Sequence, residues 1–278
     1  MNMKTVSAPK KPSIQPGGKV VPASTGRRVR PVPAVTRAVA ILRLLGKSNI
    51  GLGVKAIAQE LNLVPSTCLH ILRVLVEEDL IKVDPATKRY SMAVGMLALA
   101  RNVLETLTFP NVVQPVLDRL AAEWEVSAIG VEVSGIDHMT VLALSKSKAP
   151  FRLQVDVGSR FPALVSATGR LVAAYSNLPS REIDRAFRDL RWGKAPNLGT
   201  WRKEVESVKK RGYSIDRGNY ILGVVVVAAP VVDEHGQLTH TLVAVGVADQ
   251  LDELQCTTLA QELKAEAEKL SAAPSAIN

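Results

Sequence analysis

The chain is poor in the residues that most catalytic and metal centres require. It has only two cysteines, Cys68 and Cys256, and only four histidines among its 278 residues. The two cysteines are far apart, which gives neither a disulfide framework nor a thiolate metal spacing and fits a reducing cytoplasm. His70, His138, His235 and His240 lie in no metal-ligand spacing with cysteine and in no triad order. There is no G-x-G-x-x-G and no phosphate-loop motif. The pair Gly158–Ser159 lacks the flanking glycine of a nucleophile elbow. Long apolar runs are also missing. The longest, Ile221 to Val232, falls short of the ~20 residues a membrane helix needs, and Pro230 interrupts it. The N-terminus is basic and Pro-rich, and no apolar segment follows it, so no secretory signal is expected. These absences argue against an enzyme, a metal site, a cofactor and a membrane partner.

Acid is missing from one region in particular. Residues 1–33 hold seven Lys/Arg and no Asp or Glu. Residues 34–100 hold eight basic and five acidic residues, a balance of +3. With a total of +9, the remainder carries −1. Such uneven positive charge suggests a polyanionic partner, through release of counterions from phosphate. Residues 1–33 are rich in Pro, Lys, Ser and Gly and lack aromatics, so they are expected to be a disordered basic tail. That tail is either an arm for DNA or a solubilising segment. Residues 271–278 are expected to be a second short tail.

From Gly53 the text GVKAIAQELNLVPSTCLHILRVLVEEDLIKVDPATKRYSM carries the clearest pattern. A helix before it begins near Val35, with Ala38, Ile41, Leu42 and Leu45 on one face. A second helix runs from Val54 to Leu61, and Asn62 stands where a left-handed residue would end it. Pro65 suits the first turn of a third helix, where its missing N–H costs nothing. Cys68, Ile71, Leu72 and Leu75 form that helix's apolar face, and Ser66, His70 and Arg73 its polar one. Strands are expected at Leu80–Val83 and Arg89–Met92, joined by a turn over residues 84–88. The order helix, turn, helix, basic hairpin reads as a winged helix-turn-helix over residues 34–92, a unit that lays one helix in the major groove of double-stranded DNA. Pro65, Ser66, Thr67, His70, Arg73, Lys88 and Arg89 are its candidate DNA-binding residues. Ser66 and Thr67 offer short donors at a helix N-terminus, Arg73 and His70 reach phosphates or base edges, and Lys88 and Arg89 grip the flanking backbone. The alternative is a helical pair used only for association.

An apolar helix follows over residues 93–109, read as a linker that also pairs subunits, and another runs to about Trp124. From Val126 the pattern mixes strands and helices without a strict βαβ rhythm. Residues 110–270 are therefore read as an α+β domain with a mainly antiparallel sheet. Strands are expected at 127–133, 140–144, 223–232 and 239–248. A fifth is expected at 151–157, with Phe151, Leu153, Val155 and Val157 on one side. Helices are expected near 168–175, 181–190, 201–211 and 251–270.

Three segments together carry a resemblance: LNLVPSTCLHILRVLVEEDL, VGSRFPALVSATGRLVAAYS and RGYSIDRGNYILGVVVVAAPVVDEHG. The second contains G-x-R-x-P-x-x-x-x-A-x-G and the third G-Y-x-x-D. Over residues 34–270 the chain resembles the IclR family of bacterial transcriptional regulators. The resemblance implies a winged helix-turn-helix, a linker helix and a GAF-like effector-binding domain, assembled as a homodimer or homotetramer on operator DNA. It implies a small organic carboxylate as effector, with contacts from Phe161, Ala167, Thr168, Asp216, Val224 and Val226. The Ala167 and Thr168 N–H groups would cradle the carboxylate. Val226 stands where some members carry a polar residue, which favours a larger or aromatic acid. The two valines are equally readable as core, and Asp216, with no evident partner, as a cap or turn residue. The chain departs from the family at several positions. It has His70 where Arg is common, Leu69 for His, Val64 for Pro, Asp79 for Gly, and Asn219 for Glu. Two rival readings stand beside this one: a small-molecule sensor or scaffold with associating helices, and a catalytic domain fused to a DNA-binding module.

Overall fold

A computed structural model describes residues 32–106, 108–146 and 155–273. The basic tail up to residue 31, the last five residues and the segment from Phe151 to Gln154 lie outside the described residues.

The N-terminal unit comprises α1 (Pro33–Lys47), α2 (Val54–Glu60), α3 (Pro65–Glu77), β1 (Ile81–Val83) and β2 (Tyr90–Met92). Proline opens both α1 and α3. Asn62 turns left-handed at φ 52° and ends α2. Ile41, Leu45, Ile57, Cys68, Leu72, Leu75 and Ile81 close one small core. Ile71, expected inside, is only half-buried. The hairpin turn is organised by Asp84, whose carboxylate accepts the Ala86 and Thr87 N–H groups at 2.9 and 2.7 Å. Those bonds, the one from Thr87 foremost, hold the Asp84 carboxyl below its ordinary range. Leu52 adds a third rung: its N–H and carbonyl exchange two 2.9 Å bonds with Tyr90.

After α4 (Gly95–Thr106), the second unit runs α5 (Phe109–Trp124), β3 (Ser127–Ser134), β4 (His138–Ser145), β5 (Arg160–Pro162), α6 (Ser166–Tyr175), α7 (Ser180–Arg188), α8 (Leu198–Arg211), β6 (Ser214–Arg217), β7 (Val224–Val232), β8 (Leu238–Val247) and α9 (Glu253–Ser271). The six strands form one fully antiparallel sheet in the order β5-β4-β3-β8-β7-β6.

Alternation along β7 divides the domain into layers. Val225, Val227, Ala229 and Val231 pack with α5 and α9, while Val224, Val226 and Ala228 pack with α6. Arg119 of α5 clamps the outer layer, pairing with Glu262 and, at 3.0 Å, with Glu266 of α9. Asp252 starts α9 with a reciprocal capping box to Gln255.

Further details differ from the sequence reading. Residues 155–159 form a turn rather than a strand, for Val155 is buried whereas Val157 is 63% exposed. A strand segment with both on one face would have buried both. Phe109, expected at the linker's end, is the first residue of α5 and is buried. Its ring lies over His240 of β8 with centroids 4.1 Å apart. It also fills the space above Gly130 of β3, where a Cβ would come within 2.9 Å of the ring.

Candidate functional sites

The first site is the outer face of α3 with the wing. Pro65, Ser66, His70 and Arg73 are exposed and Thr67 is half-buried. No side chain caps the α3 N-terminus. The Cys68 N–H is bonded to the Val64 carbonyl, so the N–H groups of Ser66 and Thr67 precede the first helical bond. That end of the helix suits a phosphate. Lys88 and Arg89 are exposed on the hairpin, Lys88 at φ 56°. The Arg89 guanidinium donates to the Gly51 carbonyl at 3.0 Å. It therefore ties the wing to the loop before α2, a contact sequence reading missed because the two lie far apart in the chain. Val64 and Val74 are also exposed on α3 or its entry, and such apolar groups suit thymine methyls.

The second site lies where α6 meets the sheet. Phe161 is on β5, Ala167 and Thr168 open α6, Asp216 is on β6, and Val224 and Val226 are on β7. Asp216 pairs with Val226, and Phe161 with Met139, so all four share the α6 face of the sheet. Ala167, Thr168, Asp216, Val224 and Val226 are buried and Phe161 is half-buried. Helix α6 is buried along nearly its whole length and has no side-chain N-cap. It begins two residues earlier than expected, at Ser166, which is held at φ 58°. Gly169 explains the tightness of this entry. A Cβ there would lie 2.0 Å from the Leu164 carbonyl oxygen.

Asp216 is not a lone carboxylate. It lies on a strand, accepts the Tyr220 N–H at 3.1 Å and faces the Arg170 guanidinium at 3.5 Å. Arg170 is the residue that sequence reading missed. It is 1% exposed and donates to Glu204 at 2.6 Å, the Ser166 carbonyl at 2.8 Å and Asn219 Oδ1 at 2.9 Å. One guanidinium thus joins α6, α8, β6 and the loop after it. Two buried oxygens beside it, Ser166 Oγ and Asp216 Oδ1, have no hydrogen-bond partner.

A cleft of about 470 Å³ opens elsewhere, between the ends of α8 and α9, lined by Tyr175, Lys209, Lys210 and Lys264 among others. It contains none of the six candidates. Among the described residues, no three or more His, Cys, Asp or Glu gather to hold a metal ion. No described helix is long and apolar enough to cross a membrane.

Residues 101–272 match the bacterial transcriptional regulator IclR C-terminal domain, and residues 34–85 match the IclR helix-turn-helix domain. The chain belongs to the IclR family. It is 28% identical to the glycerol operon regulatory protein of Streptomyces griseus, over 81% of this chain and 87% of that one. It is 22% identical to the transcriptional repressor AllR of Escherichia coli K12, over 79% and 82% of the two chains. Among solved structures, the IclR regulator of Alicyclobacillus acidocaldarius superposes with a TM-score of 0.72 at 25% identity, covering 88% of this chain and 99% of that one. The IclR of Thermotoga maritima shares the fold at a TM-score of 0.68 and 19% identity, covering 87% and 99%. The chain is a DNA-binding transcriptional regulator, not an enzyme. It joins an N-terminal helix-turn-helix domain to a C-terminal effector domain of mixed helix and antiparallel sheet.

Proposed function

We propose that this regulator's grip on operator DNA is set by a small organic carboxylate seated at the N-terminus of α6. The observation that carries this reading is the buried, uncapped start of α6, facing Phe161, Asp216, Val224 and Val226. The Ala167 and Thr168 N–H groups there offer a carboxylate both donors and the positive end of a helix. The Thr168 hydroxyl adds a further donor, and the valines supply an apolar wall suited to a larger or aromatic acid. The protein works in the cytoplasm, as a homodimer or homotetramer. Exposed Val94, Leu97 and Leu99 on and beside α4 support pairing through that helix.

On double-stranded operator DNA, α3 enters the major groove. Pro65 fixes its first turn, Ser66 and Thr67 hold phosphate, and His70 and Arg73 read or flank base edges. Lys88 and Arg89 grip the neighbouring backbone. The acid shifts the balance between two arrangements of the domains by its differential affinity for them.

Fluorescence anisotropy against the upstream intergenic DNA tests this, at two salt concentrations and with a panel of aliphatic and aromatic carboxylates. Tight, salt-sensitive binding that one acid shifts is the expected result. Binding that no acid changes would remove the effector assignment.

A further inference from the structure

We infer that α3 selects thymine at two places in each operator half-site, through C5-methyl groups packed against Val64 and Val74. This rests on the DNA reading proposed above and adds a recognition role for two residues outside its polar set.

Both valines stand in water on the DNA-facing side of the N-terminal unit. Helix α3 buries Cys68, Leu72 and Leu75. Val64 is 65% exposed and Val74 54% exposed, and neither joins the core of that unit. Val64 occupies the N-cap of α3, where Ser, Thr, Asp or Asn would satisfy a free helix N–H, and valine is among the poorest residues there. Its side chain makes no capping bond. The chain thus forgoes a cap without gaining a core contact. An apolar N-cap also leaves the Ser66 and Thr67 N–H groups uncontested for phosphate.

Val74 lies one helical turn beyond His70 and directly after Arg73, both exposed. Its apolar surface therefore interrupts the polar outer face of α3. Ten residues of helix separate it from Val64, an advance of about 15 Å. Base pairs are stacked about 3.4 Å apart, so one thymine cannot serve both valines.

The chemistry of the groove decides the base. On its major-groove edge each base presents donors and acceptors, and the one apolar group among them is the thymine methyl. A valine laid on any other edge would strip water from polar atoms and offer no hydrogen bond in return. Val64 and Val74 therefore favour thymine and reject its competitors by the same contact.

Selection of the full chain's preferred site from random-sequence duplex DNA, followed by anisotropy titrations, tests this. Each thymine of the selected half-site is replaced in turn by deoxyuridine, which removes the methyl and keeps every hydrogen-bonding group. At two positions the replacement should weaken binding about threefold to tenfold. Val64→Ala should abolish the penalty at one of them and Val74→Ala at the other. Both variants should melt within about 2 °C of the natural protein, because the side chains lie outside the core. Cytosine placed at either position should weaken binding, and 5-methylcytosine should recover part of the loss.

Tight, sequence-selective binding with no uridine penalty above about 1.5-fold would overturn the inference and leave the reading by His70 and Arg73 standing. Penalties that persist in both alanine variants would overturn the assignment to these valines. If no sequence is selected, the DNA reading above falls and this inference with it.

Discussion

Gly169 occupies a position where any side chain collides with the main chain. Its missing Cβ lies 2.0 Å from the Leu164 carbonyl oxygen, which is backbone and cannot swing away. Gly169→Ala should cost about 3 kcal/mol or prevent folding of the effector domain, as read by urea denaturation. Asp79 presents the reverse case. It is held at φ 57°, immediately before the wing, where the family usually has glycine. Asp79→Gly should stabilise the chain by about 0.5 kcal/mol, since the left-handed strain removed outweighs the extra freedom of the unfolded chain. A lower melting temperature in this variant would mean that the Asp79 side chain contributes more than its backbone costs. Gly169 was legible in the sequence only as a motif letter. The reason for it appears once Leu164 is seen folded under the helix.

At the scale of elements, DNA recognition depends on α3 and the wing holding a fixed relation. Exposed His70 and Arg73 contribute little to stability, so His70→Ala and Arg73→Ala should each leave it within about 0.5 kcal/mol. His70→Ala is expected to reorder affinities across operator variants. Unchanged ranking in a competition assay would exclude His70 from base reading. Arg73→Ala should either lower the salt slope by about one, if it holds phosphate, or relax the choice at one base pair by about 1–3 kcal/mol. Arg89→Ala removes the tie to Gly51 as well as a charge, and should weaken binding across all sequences.

Elements with strong local signals were legible: the helix opened by Pro65, the left-handed stop at Asn62, and the long apolar strands β7 and β8. The short edge strands β5 and β6 were not, because three or four residues carry too little periodicity. For the same reason Asp216, read from the resemblance as an effector contact, could equally be read as a cap or turn residue rather than a strand residue. Arg170 escaped notice because an arginine in a helix of small residues looks like a solvated charge. Its partners come from three other elements that only the folded chain assembles.

For the whole molecule, acid should weaken the joint between the sheet and the start of α5. His240 is buried against Phe109, and that burial pushes its pKa down to about 4 from an ordinary 6.5. The folded protein therefore favours the neutral ring, while the unfolded chain binds the proton first. The contribution is complete above pH 6.5 and is lost as pH falls from 6.5 toward 4, by up to about 3 kcal/mol. His240→Phe should keep the stacked ring and flatten this part of the profile. Melting curves of the two proteins from pH 7.5 to 4.5 should diverge as pH falls, with the natural protein losing more. Parallel curves would mean that the ring is not protected from protonation in the folded state.

The seat of Phe109 above Gly130 also has an evolutionary consequence. A ring at one position occupies the volume that a side chain at the other gives up, and the two belong to different elements, one of them directly after α4. Neither can change size alone without a clash or a void. Across the descendants of this protein their volumes should trade inversely, a large residue at one site accompanied by a small one at the other. Lineages that break the trade should show compensating changes at Val113 or Ala143, whose side chains also lie close to Gly130.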